Sequence, residues 1–482
     1  MHVTRRTLAL GAAAAGLAGC SRESAPHMLA PSARQFPADF VWGVATSAFQ
    51  TEGAWDVDGR GPSIWDVFPR AKITDGSDAR VANDSYHRYP EDIALIADAG
   101  IKAHRFSISW TRIVPDGASA MRMMPAGWTG VNQAGLDHYK RMVDAMLERN
   151  ITPYATLFHW DLPQGLQERG GWRDRDTAQR LADYATVVSD ELGDRLKHFV
   201  ILNEAAVHAV VGHVLGQHAP GLTDATLLGS AIHHQNLAQG MAIQAMRAGR
   251  SDLTIGTTMA LMPSRPKEGA LNMLDQMAAD GFDNVWNGAF LDPLFKGSYP
   301  GAAHDIVKDV VRDGDLNITK QPIDFLGVNY YSPAYMRFDW NAPSHIAPAE
   351  PPRGSELDAF GREIDASGLW ETLARVRTEY GNPPVLITEN GCSDPFGDGP
   401  AQQDDQFRIT YLRQHLEAVK RAMEDGSHIG GYFHWTLIDN WEWALGYRSK
   451  FGFVSQDRTT GARAAKASYA WFKALVESGS LS

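Results

Sequence analysis

Two segments of this chain run through apolar residues and stop at a glutamate: Val200-Ile201-Leu202-Asn203-Glu204 and Leu386-Ile387-Thr388-Glu389-Asn390-Gly391. A short β-rich run bounded by polar residues is the pattern of a buried strand. A carboxylate at its end is then placed where the strand opens into a loop. Two such carboxylates facing one cavity can divide acid and base work between them. Cleavage of a glycosidic bond needs a proton donor for the leaving oxygen and a second carboxylate to meet an oxocarbenium-like centre. Their separation decides the outcome: about 5–5.5 Å gives a covalent intermediate and retention, about 6.5–9.5 Å leaves room for water and gives inversion.

The elements that must position these groups come next. Compact β-rich or small-residue runs occur at Phe40–Thr46, Ala103–Ser109, Thr152–Phe158, His198–Leu202, Thr254–Met259, Phe325–Tyr330, Val385–Thr388 and Gly430–Trp435. Helix-length patterns such as Gly135–Arg149 and Ala178–Leu192 lie between them, which is the alternation of βα units around a parallel sheet. Eight runs predict an α/β fold, a single (β/α)8 TIM barrel with long βα loops; a six-stranded doubly wound sheet would leave two runs unused. Polar and aromatic residues collect where the runs end: Gln50 and Glu52, Arg105, His159 and Trp160, Asn203 and Glu204, Asn329 and Tyr331, Glu389 and Asn390, Trp435, then Glu442 and Trp443. Barrels of this kind assemble their active sites at the C-terminal ends of the strands, so these residues are expected on one rim.

The chain has 482 residues, 44% hydrophobic and 21% charged, enough for one large core. Its formal net charge of -12 argues against nucleic acid as a partner, because phosphate binding needs a basic surface. Fourteen tryptophans suit a site for sugars, whose flat C–H faces pack on indole rings, although large cores also use them.

The N-terminus reads as an export signal. Arg5-Arg6 is followed by an apolar run from Leu8 to Gly19, too short for a permanent membrane span. Leu17-Ala18-Gly19-Cys20 resembles a bacterial lipobox, whose cysteine is lipidated. The expected organisation is a signal peptide over 1–20, a flexible Ser/Pro/Ala-rich linker over 21–35 and a catalytic domain over 36–482. The protein would then be exported by the twin-arginine route and reside in the periplasm as a lipoprotein. Its contact with the membrane would run only through the anchor at Cys20.

Longer motifs bring a family into view. Phe40-Val41-Trp42-Gly43-Val44-Ala45-Thr46-Ser47-Ala48-Phe49-Gln50-Thr51-Glu52-Gly53, Arg105-Phe106-Ser107-Ile108-Ser109-Trp110, Asn203-Glu204, Asn329-Tyr330-Tyr331, Ile387-Thr388-Glu389-Asn390-Gly391 and Trp435-Thr436-Leu437-Ile438-Asp439-Asn440-Trp441-Glu442-Trp443 together resemble glycoside hydrolase family 1, the β-glucosidase family. The resemblance spans Phe36 to Phe472. It implies a retaining exo-β-glycosidase acting by double displacement on a small-molecule β-glycoside or oligosaccharide. Glu389 would be the nucleophile, kept ionised by Arg105 and Tyr331, and Glu204 the acid/base, kept protonated by burial and by the charge of Glu389. Asn203 would meet the sugar 2-OH, with Asn329 supporting the site. Gln50, His159, Trp160 and Glu442 would surround the other hydroxyls, and Trp435 and Trp443 would line the apolar side. A carboxylate at Glu442 favours an unphosphorylated sugar over a 6-phosphate, so a 6-phospho-β-glycosidase is the weaker alternative. A non-catalytic sugar-binding relative would be expected to lack one of the two glutamates.

The sequence departs from the family pattern in places. Ala205 follows Glu204 where proline is usual, and Arg362 in Gly361-Arg362-Glu363-Ile364 stands where a tryptophan usually forms a platform for the leaving group. Arg362 can stack a flat aglycone, pair with a carboxylate or simply be solvated. Long segments at Val114–Val131 and Asp339–Leu369 are expected to shape the aglycone side. His208, His213 and His218 recur every five residues, about 140° apart on an α-helix, and so should not share a face. Two-carboxylate chemistry needs neither a metal nor another cofactor. Nothing in the sequence speaks to oligomeric state.

Overall fold

The computed structural model describes residues 35–481 except 118–121, 125, 126 and 398. The N-terminal signal, Cys20 and most of the linker lie outside them. Eight parallel strands close into a barrel in sequential order: β1 Val41–Ala45, β2 Ala103–Ser107, β3 Thr152–Phe158, β4 His198–Asn203, β5 Thr254–Ala260, β6 Phe325–Tyr330, β7 Val385–Asn390 and β8 Ile429–Trp435. β1 closes on β8, with Trp42 beside Tyr432 and Ala45 beside Trp435. All eight predicted runs form these strands, two of them with the same bounds and the rest with ends shifted by at most two residues.

Helices α1 Ser85–Asp98, α2 Gln133–Glu148, α3 Asp176–Leu192, α4 Leu228–Gly249, α5 Met273–Asp283, α6 Ala366–Glu379, α7 Gln406–Glu424 and α8 Ala467–Ser478 follow the strands in turn. Each of the longer amphipathic ones buries a stripe, as α3 does with Leu181, Tyr184, Val188 and Leu192. The strands are buried on both faces, which is what a sheet covered by helices outside and filled inside requires. One cluster of Ala45, Ala103, Tyr154, Val200, Phe325, Leu386 and Phe433 links seven of the eight strands.

The loops after β2, β5 and β6 carry structure of their own. Within Val114–Val131, Arg122–Met124 pairs antiparallel with Gly127–Thr129. Ser264–Pro266, Ala334–Phe338 and Ile346–Ala349 make a small three-stranded sheet beside α5. The ladder is irregular where the two glutamates sit. Register shifts fall between Val200 and Asn203 on β4, and between Ile387 and Glu389 on β7. Such irregularities re-aim side chains at the rim of a barrel.

Candidate active site

Glu204 stands one residue beyond β4 with φ 49° and ψ 53°, a left-handed conformation uncommon for a residue with a side chain. Its backbone N–H donates to Thr258 O on β5 at 2.9 Å, which ties this turn to the neighbouring strand. Asn329, near the end of β6, donates through Nδ2 to Glu204 Oε1 at 2.8 Å. Asn329 is itself fixed by Thr388, whose hydroxyl donates to its Oδ1 at 2.8 Å. Thr388 precedes Glu389, so one hydrogen-bond chain runs from the second carboxylate's strand to the first carboxylate. Ala205 is buried and begins a short helical turn.

Glu389 lies on β7, paired in register with Asn329. Arg105 Nη1 is 2.5 Å from its Oε1, and the Tyr331 hydroxyl donates to its Oε2 at 2.7 Å. Both oxygens therefore have donors. The pair is deeply buried, with side-chain exposures of 1% for Arg105 and 4% for Glu389. The rest of the Arg105 fork is used too: Nη2 donates to Asn203 Oδ1 at 2.6 Å and Nε to Thr156 Oγ1 at 3.1 Å. Behind the motif, Gly391 passes so close to Trp435 that a Cβ would sit 2.2 Å from the Trp435 carbonyl oxygen. Any side chain there would push the tryptophan out of place.

The two glutamates differ in environment, and this separates their protonation. Glu204 is pushed up to about 8, first by burial and then by the negative charge of Glu389. Burial, followed by the charge of Glu389, likewise raises the Tyr331 hydroxyl well above its ordinary value, so it stays a donor. Glu442 is also pushed up to about 8 by burial, partly opposed by Arg362.

His159 is held neutral by burial and by Arg105. The partners of Asn203 fix which way it points: its Oδ1 accepts from Arg105 and Asn329, so its Nδ2 faces His159 Nε2 at 3.0 Å. Nε2 is therefore the acceptor, and the ring proton is on Nδ1. Nδ1 is buried and has no partner among the described residues. A neutral N–H donor is thus left unpaired among the described residues, on a ring that lines the cavity.

Glu204, Glu389, His159, Trp160, Asn329, Tyr331, Trp435, Glu442, Trp443 and Arg362 line one cavity of about 210 Å³. The Trp435 and Trp443 rings both lie nearly parallel to His159, at 5.9 and 6.0 Å between ring centres. Gln50, Arg105 and Asn203 stand behind this lining and hold it. Gln50 Nε2 donates to Glu442 Oε2 at 3.0 Å while its Oε1 accepts from Ser47 at 2.7 Å. The Trp160 indole donates to Asn203 O at 2.9 Å.

Some expectations are corrected. Glu52, grouped with the rim, instead pairs with Arg112 at 2.6 Å and accepts from Tyr139 at 2.6 Å, a buried network that braces the loop after β1. His208 and His213 converge, with ring centres 5.2 Å apart, because the turn His208–Gly212 is wider than an α-helix and the angular argument does not apply. His213 Nδ1 bonds the His208 carbonyl oxygen, whereas His218 turns away to line the cavity. Phe360, Phe451, Val207, Met262 and Trp286 also line the cavity and were not anticipated. Nothing in their local sequence marks them, since they are apolar residues in the loops and short helical turns that follow the strands. Thr388, missed as well, was legible inside the motif that ends at Glu389.

Two buried carboxylates in contrasting environments, at the strand ends of a (β/α)8 barrel and over a sugar-sized aromatic cavity, define a glycoside hydrolase. The family model for glycosyl hydrolase family 1 matches residues 32–480, and the chain belongs to that family. It is 39% identical over 460 residues to a 1,4-beta-D-glucan glucohydrolase of Thermotoga neapolitana, covering 93% of this chain and 99% of the relative. It is 39% identical over 468 residues to a bifunctional beta-D-glucosidase/beta-D-fucosidase of Bifidobacterium breve, covering 92% and 98%. The solved structure of a beta-glucosidase from Thermotoga maritima in complex with deoxynojirimycin superimposes with a TM-score of 0.85 at 37% identity, covering 93% of this chain and 100% of that one. The chain is an O-glycosyl hydrolase of the β-glucosidase type.

Proposed function

We propose that Glu389 is the nucleophile and Glu204 the acid/base of a retaining exo-β-glycosidase that removes terminal unphosphorylated β-D-glycosyl residues. The observation that carries these roles is the unequal treatment of the two carboxylates. Glu389 accepts a hydrogen bond on each oxygen, from Arg105 and from Tyr331, whereas Glu204 is buried beside it and favours the acid. In the first step Glu389 bonds to C1 as the C1–O bond to the leaving group breaks, and the leaving oxygen takes the Glu204 proton. The ester has no charge, so the repulsion that held Glu204 protonated is gone. Glu204 is now the carboxylate that takes a proton from water, and the water oxygen displaces Glu389 from C1.

His159 Nδ1–H, Gln50 and Glu442 serve the sugar hydroxyls, with Trp435 and Trp443 on its apolar side. Asn203 reaches the 2-OH from behind the wall, where its carbonyl already bonds Arg105. Glu442 hydrogen-bonds the outer hydroxyls, and in its ionised form it opposes a phosphate there. We also propose that 1–20 directs twin-arginine export, Cys20 takes a lipid anchor, and 21–35 tethers the domain 36–482 in the periplasm. Among the described residues no helix is long and apolar enough to cross a membrane.

Turnover of an aryl β-glucoside by Glu389→Gln tests the assignment. The folded variant should lose at least about 10⁴-fold in kcat, the scale of removing a covalent nucleophile. Activity near the original level would overturn it.

A further inference from the structure

Arg362 lines the cavity in a fixed pose. Its Nε and Nη2 donate to Asp358 Oδ2 at 3.0 and 2.6 Å. Asp358 lies beneath it, 4% exposed, and its other oxygen accepts the backbone N–H groups of Phe360 and Arg362 at 2.9 and 3.1 Å. The guanidinium carbon lies 4.7 Å from the centre of the Tyr331 ring and 4.4 Å from that of Phe360. Clamped by a carboxylate and packed between rings, the fork cannot swing to solvent, so little freedom remains to be lost on binding. One end is still open: Nη1 has no hydrogen-bond partner among the described residues, and the side chain is 27% exposed. The Phe451 ring lies 5.5 Å from the same guanidinium, and Val207, Met262 and Trp286 line the same cavity.

We propose that Arg362 makes the aglycone side of the cavity a subsite for flat, apolar leaving groups that carry a carboxylate. The proposal rests on the hydrolase reading above and names its substrate class. Two N–H groups on one guanidinium nitrogen, with no acceptor capacity, match a carboxylate better than any neutral group. The anion belongs on the leaving group and not on the sugar. A carboxylate at the sugar's sixth carbon would meet the Glu442 carboxyl, whose Oε2 already takes the Gln50 amide at 3.0 Å.

The test compares kcat/KM for aryl β-glucosides bearing a ring carboxylate, at the meta and para positions, with the carboxamides of the same rings and with an aryl β-glucuronide. The full-length protein should favour at least one carboxylate over its carboxamide by about tenfold or more, the scale of a hydrogen bond to a charged group. In Arg362→Gln that ratio should fall to about one, whatever the variant does to absolute rates. Equal rates for both series in the unmodified protein would overturn the proposal, with no variant required. A preference that survives Arg362→Gln would overturn it too, as would a faster glucuronide. If the carboxamides and other neutral aryl glucosides are not cleaved at all, the hydrolase assignment itself has failed and the proposal falls with it.

Discussion

Arg105 Nη1 lies 2.5 Å from Glu389 Oε1, and the same guanidinium reaches Asn203, the residue immediately before Glu204. One buried cation thus fixes the carboxylate on β7 and the strand end that carries the other glutamate. A buried charge is stable only when paired and hydrogen-bonded, and here the pairing doubles as alignment of the two groups.

The alkaline limb of kcat/KM should report Glu204. Its acid form is required, and it is held up to about 8, first by burial and then by Glu389. Activity should therefore fall as pH rises through about 8. In Glu389→Gln the negative neighbour is gone, and ¹³C NMR of the Glu204 carboxyl should show titration at lower pH than in the unmodified protein. A titration that does not move would remove Glu389 as a cause.

The same shift links to stability. A folded-state value above the unfolded one means the native state binds more protons across that window, so stability from Glu204 is full below about 4.5 and is lost as pH rises through about 8. Glu204→Gln should melt higher than the unmodified protein at pH 9 and close to it at pH 4, by differential scanning calorimetry. An equal difference at both pH values would contradict this.

Tyr331→Phe removes the donor on Glu389 Oε2 and leaves the ring against Arg362. Loss of one hydrogen bond to a charged group, about 1.5–3 kcal/mol, should lower kcat roughly 10- to 100-fold with little change in fold. Steady-state kinetics with a circular dichroism control would check it.

Glu442 should discriminate against a 6-phosphate, and more so at higher pH. It is held up to about 8 by burial, so ionisation above that value sets two negative charges together. The ratio of kcat/KM for an aryl β-glucoside to that for its 6-phosphate should reach at least about 10² on the alkaline side, since like charges at close range cost several kcal/mol. The ratio cancels the titration of Glu204. In Glu442→Gln it should be smaller and flat with pH.

The strands were legible because each is a compact run whose neighbours are helix-length patterns, and both periods are local properties of the chain. α2 begins two residues before the predicted Gly135, at Gln133, because Asn132 is already held outside the helix by its bonds to Asp58 and Arg112. What local pattern does not encode is which distant side chain answers a given charge. Glu52 sits between two motif residues, yet Arg112, 60 positions on, turns it away from the cavity. Arg362 is the same problem inverted: three readings were open in sequence, and only the packing of Asp358, Tyr331 and Phe360 around it fixes its pose. Both carboxylates, in contrast, announce themselves, because a strand that ends in a glutamate is visible without knowing its partners.

The most direct measurement is the site of the covalent intermediate. A β-glucoside with fluorine at C2 destabilises the second transition state and lets the glycosyl-enzyme accumulate, so digestion and mass spectrometry can locate the sugar. One glycosyl group per chain is expected, on Glu389, lost again when the enzyme is left to turn over. A sugar found on Glu204, or steady hydrolysis with inversion at C1 and no adduct, would contradict it.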